Sequence, residues 1–188
     1  PNTLTISIPN NNKYSATWMF ASCSNTNFTQ LPSTLDYSRA TSVQAMFAYC
    51  SYLTSTGDLT LTECGNASSM FNACGNLVNV GNISAPIATK CSGFFSTCDR
   101  ALVTIDGTLS FPSCTDFSSM FTNCYLLNHI PAMDTTGATI FTGMFAGARA
   151  ITVYKNNYDL SSATTLRDMF SGCNALTSVT ISDNFTTT

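Results

Sequence analysis

The chain is poor in charge: only 9% of its 188 residues are Asp, Glu, Lys or Arg, against roughly 25% in ordinary soluble domains. Seven cations against ten anions leave a net charge of −3 and a pI near 4.7. That balance supplies no basic field, so binding to nucleic acid through its phosphates is not expected. No run approaches the ~18 consecutive apolar residues needed to cross a bilayer, so membrane insertion is not expected either. Histidine occurs once, at His129 in "LLNHIPAM". A Cys–His or Ser–His active site would have to use it, yet its neighbours offer no orienting acid and no oxyanion loop. No catalytic residue is assigned, and the expectation is a protein that is not an enzyme. No paired C-x2-C ligands, calcium loop or phosphate loop occurs, so no metal or cofactor is expected. Ser, Thr and Asn take the place of the missing charges, a surface that suits an extracellular, cell-surface or virion-surface protein. The chain opens on Pro1 without a visible signal peptide, as a mature product or an excised segment would.

What the sequence has in abundance is a period. The phrase "MFASC" at Met19 returns as "MFAYC" at Met46, "MFNAC" at Met70, "FFSTC" at Phe94, "MFTNC" at Met120, "MFAGA" at Met144 and "MFSGC" at Met169. The steps are 27, 24, 24, 26, 24 and 25 residues. Counted from the Met, position −3 is mostly apolar or small (Ala16, Val43, Ala67, Cys91, Phe117, Phe141, Leu166), and position −6 is small in every repeat except the first, where Lys13 stands. Positions −3, 0, +1 and +4 share one helical face, so this half of the repeat is expected to be a short helix. At +7 comes a large apolar residue such as Leu53, Leu77, Leu127, Ile151 or Leu176, opening a strand in which Val179 and Ile181 alternate with polar residues.

A unit of ~25 residues cannot bury its apolar face alone, so the units are expected to stack around one continuous core. The fold class is therefore an α/β repeat solenoid of seven coils, each a short strand, a loop and a short helix, forming one domain over 1–188. The longer steps are absorbed as loop insertions after the Met19 and Phe94 phrases.

The pattern MFxxCxxLxx(V/I)x(I/L), best matched by "MFSGCNALTSVTIS" from Met169 to Ser182, resembles the BspA-like leucine-rich repeats of bacterial surface proteins. "MFNACGNLVNV" and "MFTNCYLLNHI" follow it closely. The resemblance covers essentially the whole chain. It departs where Ala148 replaces the Cys, where Phe94 replaces the Met and where no clean leucine follows Cys23. It implies a curved, leucine-rich-repeat-like solenoid used for adhesion or partner binding, without naming one ligand.

The period also decides among readings of the nine cysteines. Cys23, Cys50, Cys74, Cys98, Cys124 and Cys173 stand at +4, Cys64 and Cys114 at −6, and Cys91 at −3. All are inward positions, so a ladder of buried free thiols is favoured over a zinc site or a disulfide framework. The expected structural core is Met19, Phe20, Cys23, Met46, Phe47, Cys50, Met70, Phe71, Cys74, Phe94, Phe95, Cys98, Met120, Phe121, Cys124, Met144, Phe145, Met169, Phe170 and Cys173.

The outward strand positions are expected to form a polar, nearly uncharged face: Thr54, Ser55, Asn79, Thr104, Asn128, His129, Thr152, Thr177, Ser178 and Thr180. Such a face suits a glycan or a polar protein edge on a host or neighbouring surface. Tyr49, Tyr52, Tyr125 and Tyr158 are candidate sugar-stacking platforms. Asp58, Asp106, Asp134 and Asp159 are expected to mark turns. Sequons stand at Asn27, Asn66, Asn82 and Asn184, no more than this composition yields by chance. Both "NTLTISIPN" (with Leu4, Ile6 and Ile8) and "SVTISDNFTTT" read as strand halves without a polar cap. The chain is thus either a segment of a longer array or a subunit whose solenoid ends stack on copies of itself. The leading expectation is a non-enzymatic adhesion or receptor-binding module, and the alternative is a self-assembling structural subunit.

Overall fold

A computed structural model describes residues 12–129, 131–155 and 158–181. Leu4, Ile6, Ile8 and Asn184 lie outside them. The seven MF phrases adopt one conformation. Each phrase donates N–H(0) to the carbonyl at −3 or N–H(+2) to the carbonyl at −1, and closes with N–H(+4) to the carbonyl at +1, as in Asn72→Ser69 (3.0 Å) and Cys74→Phe71 (3.3 Å). These are successive β-turns, and the residues at −1 and +3 carry positive φ in every phrase, for example Ser69 (58°) with Ala73 (59°), or Gly143 (62°) with Gly147 (75°). That is the backbone sign a type II turn requires of its third residue.

The short helix expected on this half of the repeat is therefore replaced by a double turn. Among the described residues the sole helical element is the 3-10 turn Tyr37–Arg39. The physical reason is that N–H groups at −3, −1, +1 and +3 turn outward to the next repeat. Phe47 donates to Met70 O (2.9 Å), Phe71 to Phe94 O (2.9 Å) and Phe121 to Met144 O (2.8 Å). A helix would spend those donors inside its own turn.

Elsewhere the repeats meet as short parallel strands. β1 (Tyr14–Ser15) pairs with β2 (Ala40–Ser42); β3 (Leu59–Thr60), β4 (Ile83–Ser84) and β5 (Leu109–Ser110) form one sheet in that order; β6 (Val153–Lys155) pairs with β7 (Ser178–Thr180). Isolated parallel bridges such as Asn66↔Lys90, Lys90↔Asp116 and Asp116↔Ile140 tie the same register together between strands. Apart from a register shift between Tyr14 and Ser15 and the insertion ahead of Ser55, the pairings join residues to their counterparts one repeat along, so equivalent side chains stack in columns.

The columns explain the phrase. Phe20, Phe47, Phe71, Phe95, Phe121, Phe145 and Phe170 stack ring on ring, with centroids 5.3 to 5.8 Å apart and planes within 12° of parallel. Met46, Met70, Phe94, Met120 and Met144 are fully buried beside them, and Met169 nearly so. Three expected core residues depart. Met19 is 42% exposed, and Cys23 and Phe170 are half-buried. They belong to the first and last repeats, which have a described repeat packed on one side only. Val179 and Ile181, expected half-buried, are exposed for the same reason.

Candidate binding surface

All nine cysteines are free, and eight are buried. The thiols at +4 do more than fill space. Cys50, Cys74, Cys98, Cys124 and Cys173 each donate Sγ–H to the carbonyl of the MF-phrase Phe one repeat earlier, at 3.1 to 3.3 Å. Burial pushes the Cys50 and Cys124 thiols up to about 12 and raises those of Cys64, Cys74, Cys98 and Cys173. Such thiols remain protonated and poorly nucleophilic. No group of three or more His, Cys, Asp or Glu among the described residues could hold a metal ion. No described helix is long and apolar enough to cross a membrane.

The predicted outward face is built by the segment after +7. Backbone bonds align it: Val78 N–H to Thr54 O (3.0 Å), Asn128 N–H to Val103 O (3.1 Å) and Thr177 N–H to Thr152 O (2.8 Å). Asn79, Thr104, Asn128, His129, Thr152, Thr177, Ser178 and Thr180 are exposed on it. Thr54 and Ser55 are half-buried rather than outward; Thr54 N–H is bonded to Thr29 O of the first repeat and Ser55 is bridged to Gln30.

This face is less free than a row of hydroxyls implies. Thr54 Oγ1 donates to Thr29 O (3.1 Å) and Thr177 Oγ1 to Thr152 O (3.0 Å). Each such threonine has spent its proton on its own fold, and presents a methyl group and lone pairs to solvent. The same segment also carries apolar side chains, the exposed Val78, Val103 and Val153, and Leu126 is exposed just ahead of it. Their places just after the large apolar residues Leu77, Leu102 and Ile151 are the signal that locates the three valines.

Of the tyrosines, Tyr49 and Tyr52 are exposed, whereas Tyr125 is half-buried with the Arg149 guanidinium 4.3 Å over its ring centroid. Tyr158 is no platform: it is buried, stacks on Phe145 and donates its hydroxyl to Pro131 O at 2.9 Å. Asp134 and Asp159 mark turns, accepting Thr136 N–H and Ser161 N–H at 2.9 Å. Those bonds hold both carboxyls below their usual range. Asp58 instead reaches across to Asn82 N–H at 2.7 Å. Sequon residues Asn27 and Asn82 are exposed, and Asn66 is half-buried with Oδ1 accepting Ser68 N–H.

A concave feature lies beside this face, where the repeat pattern shows only a longer first step. A cleft of about 500 Å³ runs between residues 30–38 of the first repeat and 55–60 of the second. Asp36 lines it and caps the 3-10 turn through Ser38, whose hydroxyl donates to Oδ1 at 2.6 Å; that bond, foremost, lowers the Asp36 pKa.

The architecture and the surface together define a repeat protein in which each turn is bonded to the next and whose recognisable features are surfaces. The chain belongs to the family described as Mycoplasma protein of unknown function, DUF285, which matches it over residues 10–87 and again over 88–187. Neither the curated proteins nor the solved structures contain a match.

Proposed function

We propose that the chain is a non-enzymatic binding module of the BspA-like leucine-rich-repeat kind, a single solenoid on a cell or virion surface. It presents the exposed strand positions to a protein or glycan of a host or neighbouring surface. The observation that carries this reading is the exposed row of Asn128, Thr152 and Thr177, with Thr104 exposed in the row beside it; Asn128 N–H is bonded to Val103 O and Thr177 N–H to Thr152 O, each one repeat earlier. Preordered side chains on a rigid scaffold lose little entropy on binding. A glycan and host-surface screen with the full chain tests it. Binding that falls at least tenfold when Thr104 and Thr152 are both changed to Lys supports the reading. A screen without a hit, or binding indifferent to that change, removes it.

A second reading, self-assembly, is favoured by one observation: apolar side chains are exposed on the first and last repeats, Trp18 (53%) and Met19 (42%) on one, Val179 (45%) and Ile181 (36%) on the other. Repeats of separate molecules stacking there would be a head-to-tail contact. Light scattering behind size-exclusion chromatography separates the readings, since a monomer that resists concentration contradicts assembly.

A further inference from the structure

The cleft beside the second repeat is bounded by an unfilled strand edge. β3 is the first strand of the β3–β4–β5 sheet. On its inner side it donates Leu59 N–H to Asn82 O and Leu61 N–H to Ser84 O, both at 2.8 Å. β4 repeats the pattern toward β5, from Ile83 to Thr108 O (2.8 Å) and from Ala85 to Ser110 O (2.9 Å). The acceptors β4 offers on its outer side are thus the carbonyls of Asn82 and Ser84. Their counterparts on β3 are the carbonyls of Asp58 and Thr60. Among the described residues no N–H reaches either one, and the Thr60 N–H has no acceptor.

The first repeat fails to supply that strand because its step is 27 residues rather than 24. The two repeats are joined at Gln30↔Ser55, part over the insertion, and rejoin where Glu63 N–H reaches Ser38 O (3.1 Å). Leu31, Pro32 and Tyr37 line the far wall. Leu59 is buried beneath, while Thr60 and Asp58 are exposed. Asp58 has only Asn82 as a partner through Oδ1, and no cation stands within ion-pair distance of it among the described residues.

We propose that this cleft is a strand-addition site: it takes an extended segment of a partner protein, parallel to β3, with a lysine or arginine beside Asp58. Two N–H groups of that segment, two residues apart, meet the carbonyls of Asp58 and Thr60, as Leu59 and Leu61 meet β4. The Thr60 N–H donates to the carbonyl between them. Main-chain bonds supply the affinity of such a mode, and the carboxylate supplies its preference. This deepens the protein-binding reading above by naming a place and a class of partner.

The probe is a capped six-residue peptide of alternating threonine and valine with one central lysine, alongside its glutamate twin, added to the full 15N-labelled chain. The lysine peptide is expected to shift the amide signals of Thr60 and Gly57 and to slow exchange of the Thr60 amide about tenfold, with the glutamate twin weaker by a similar factor. Thr60→Pro removes an N–H that the native ladder does not use. It should abolish binding while leaving the thermal midpoint in place. Asp58→Asn keeps the acceptor for Asn82 and should erase the lysine preference.

Binding unaltered in Thr60→Pro, or no shift at Thr60 with about 5 mM of either peptide, overturns the proposal. So does a Thr60 amide already protected without peptide, which would mean that the edge is filled by the chain itself or by a second copy. Failure here leaves the outward strand face untouched, because the host-surface screen reads that face through Thr104 and Thr152.

Discussion

The Cys74 thiol donates to the backbone carbonyl of Phe47, one repeat earlier, at 3.1 Å. The same bond recurs at Cys50, Cys98, Cys124 and Cys173. Cysteine at this position is thus a small apolar residue that also satisfies an oxygen inside the core. Phe47 O already accepts the Cys50 N–H at 3.3 Å, so the thiol fills its second lone pair. Cys74→Ala should therefore cost about 1–2 kcal/mol, a weak hydrogen bond plus the lost packing of the sulfur. Ala148 holds the equivalent place in the sixth repeat, so the fold survives the change. Urea unfolding measures the cost. A thiol assay on the unreduced protein should label Cys23 first in the native state and all nine after denaturation. Fewer than three on denaturation would refute the free-thiol ladder.

How much of this was legible follows from what a period records. Seven registered copies of one phrase place Met70, Phe71 and Cys74 inward without reference to neighbours, and the buried columns agree. A period says nothing about a missing neighbour, which is why Met19, Cys23 and Phe170 were expected inside and are partly outside. The helix was misread because apolar residues at −3, 0, +1 and +4 fit a helical face and a double turn alike. The discriminating signal sits at −1 and +3, where Gly93, Gly143, Gly147, Gly172 and Asn123 are residues that tolerate positive φ. The insertion in the first repeat was visible as a 27-residue step. Its outward swing, which opens the cleft, depends on Asp36 capping the 3-10 turn and Tyr37 donating to Pro32 O (3.0 Å), contacts that spacing does not encode.

Those left-handed positions hold strain. Thr97 is β-branched and sits at φ 61°, where the sixth and seventh repeats place Gly147 and Gly172. An L-residue in this region costs roughly 1–2 kcal/mol, partly offset for glycine by its freer unfolded chain. Thr97→Gly should stabilise the protein by about 0.5–1 kcal/mol, and Thr97→Asn by less. The reverse change, Gly93→Ala, should destabilise it: φ is +63° and a Cβ would meet Ser69 Oγ at 3.2 Å. Urea midpoints that fail to move in opposite directions would show that the turns hold no such strain.

The ring column predicts how damage spreads. Phe121 stacks between Phe95 (5.8 Å) and Phe145 (5.4 Å), fully buried. Phe121→Ala should cost about 3–5 kcal/mol, because neither neighbouring repeat can collapse into the gap without leaving its own register. Amide exchange should accelerate in both flanking phrases, around Phe95 and Phe145. Phe170 is half-buried, and its truncation should cost roughly 1–3 kcal/mol and disturb one neighbour only. Equal costs for the two changes would contradict a column in which each repeat rests on the next.

The buried acids of the core set a limit on the alkaline side. Burial raises Cys50, Cys124 and Tyr154 to about 12, from usual values of 9.0 for the thiols and 10.0 for the phenol. In the unfolded chain these groups lose their protons first, so the unfolded state binds fewer protons at high pH. Their contribution is complete below about pH 9 and is lost as pH rises from there to about 12. The urea midpoint should stay level from pH 7 to about 8.5 and then fall, with a slope set by the number of buried thiols and phenols. Removing two thiols together, Cys50→Ala with Cys124→Ala, should flatten that slope by up to about two protons while lowering stability at neutral pH. A midpoint that is level or rising through pH 10.5 would mean that these thiols ionise as readily in the fold as outside it. The bonded, buried ladder would then be wrong.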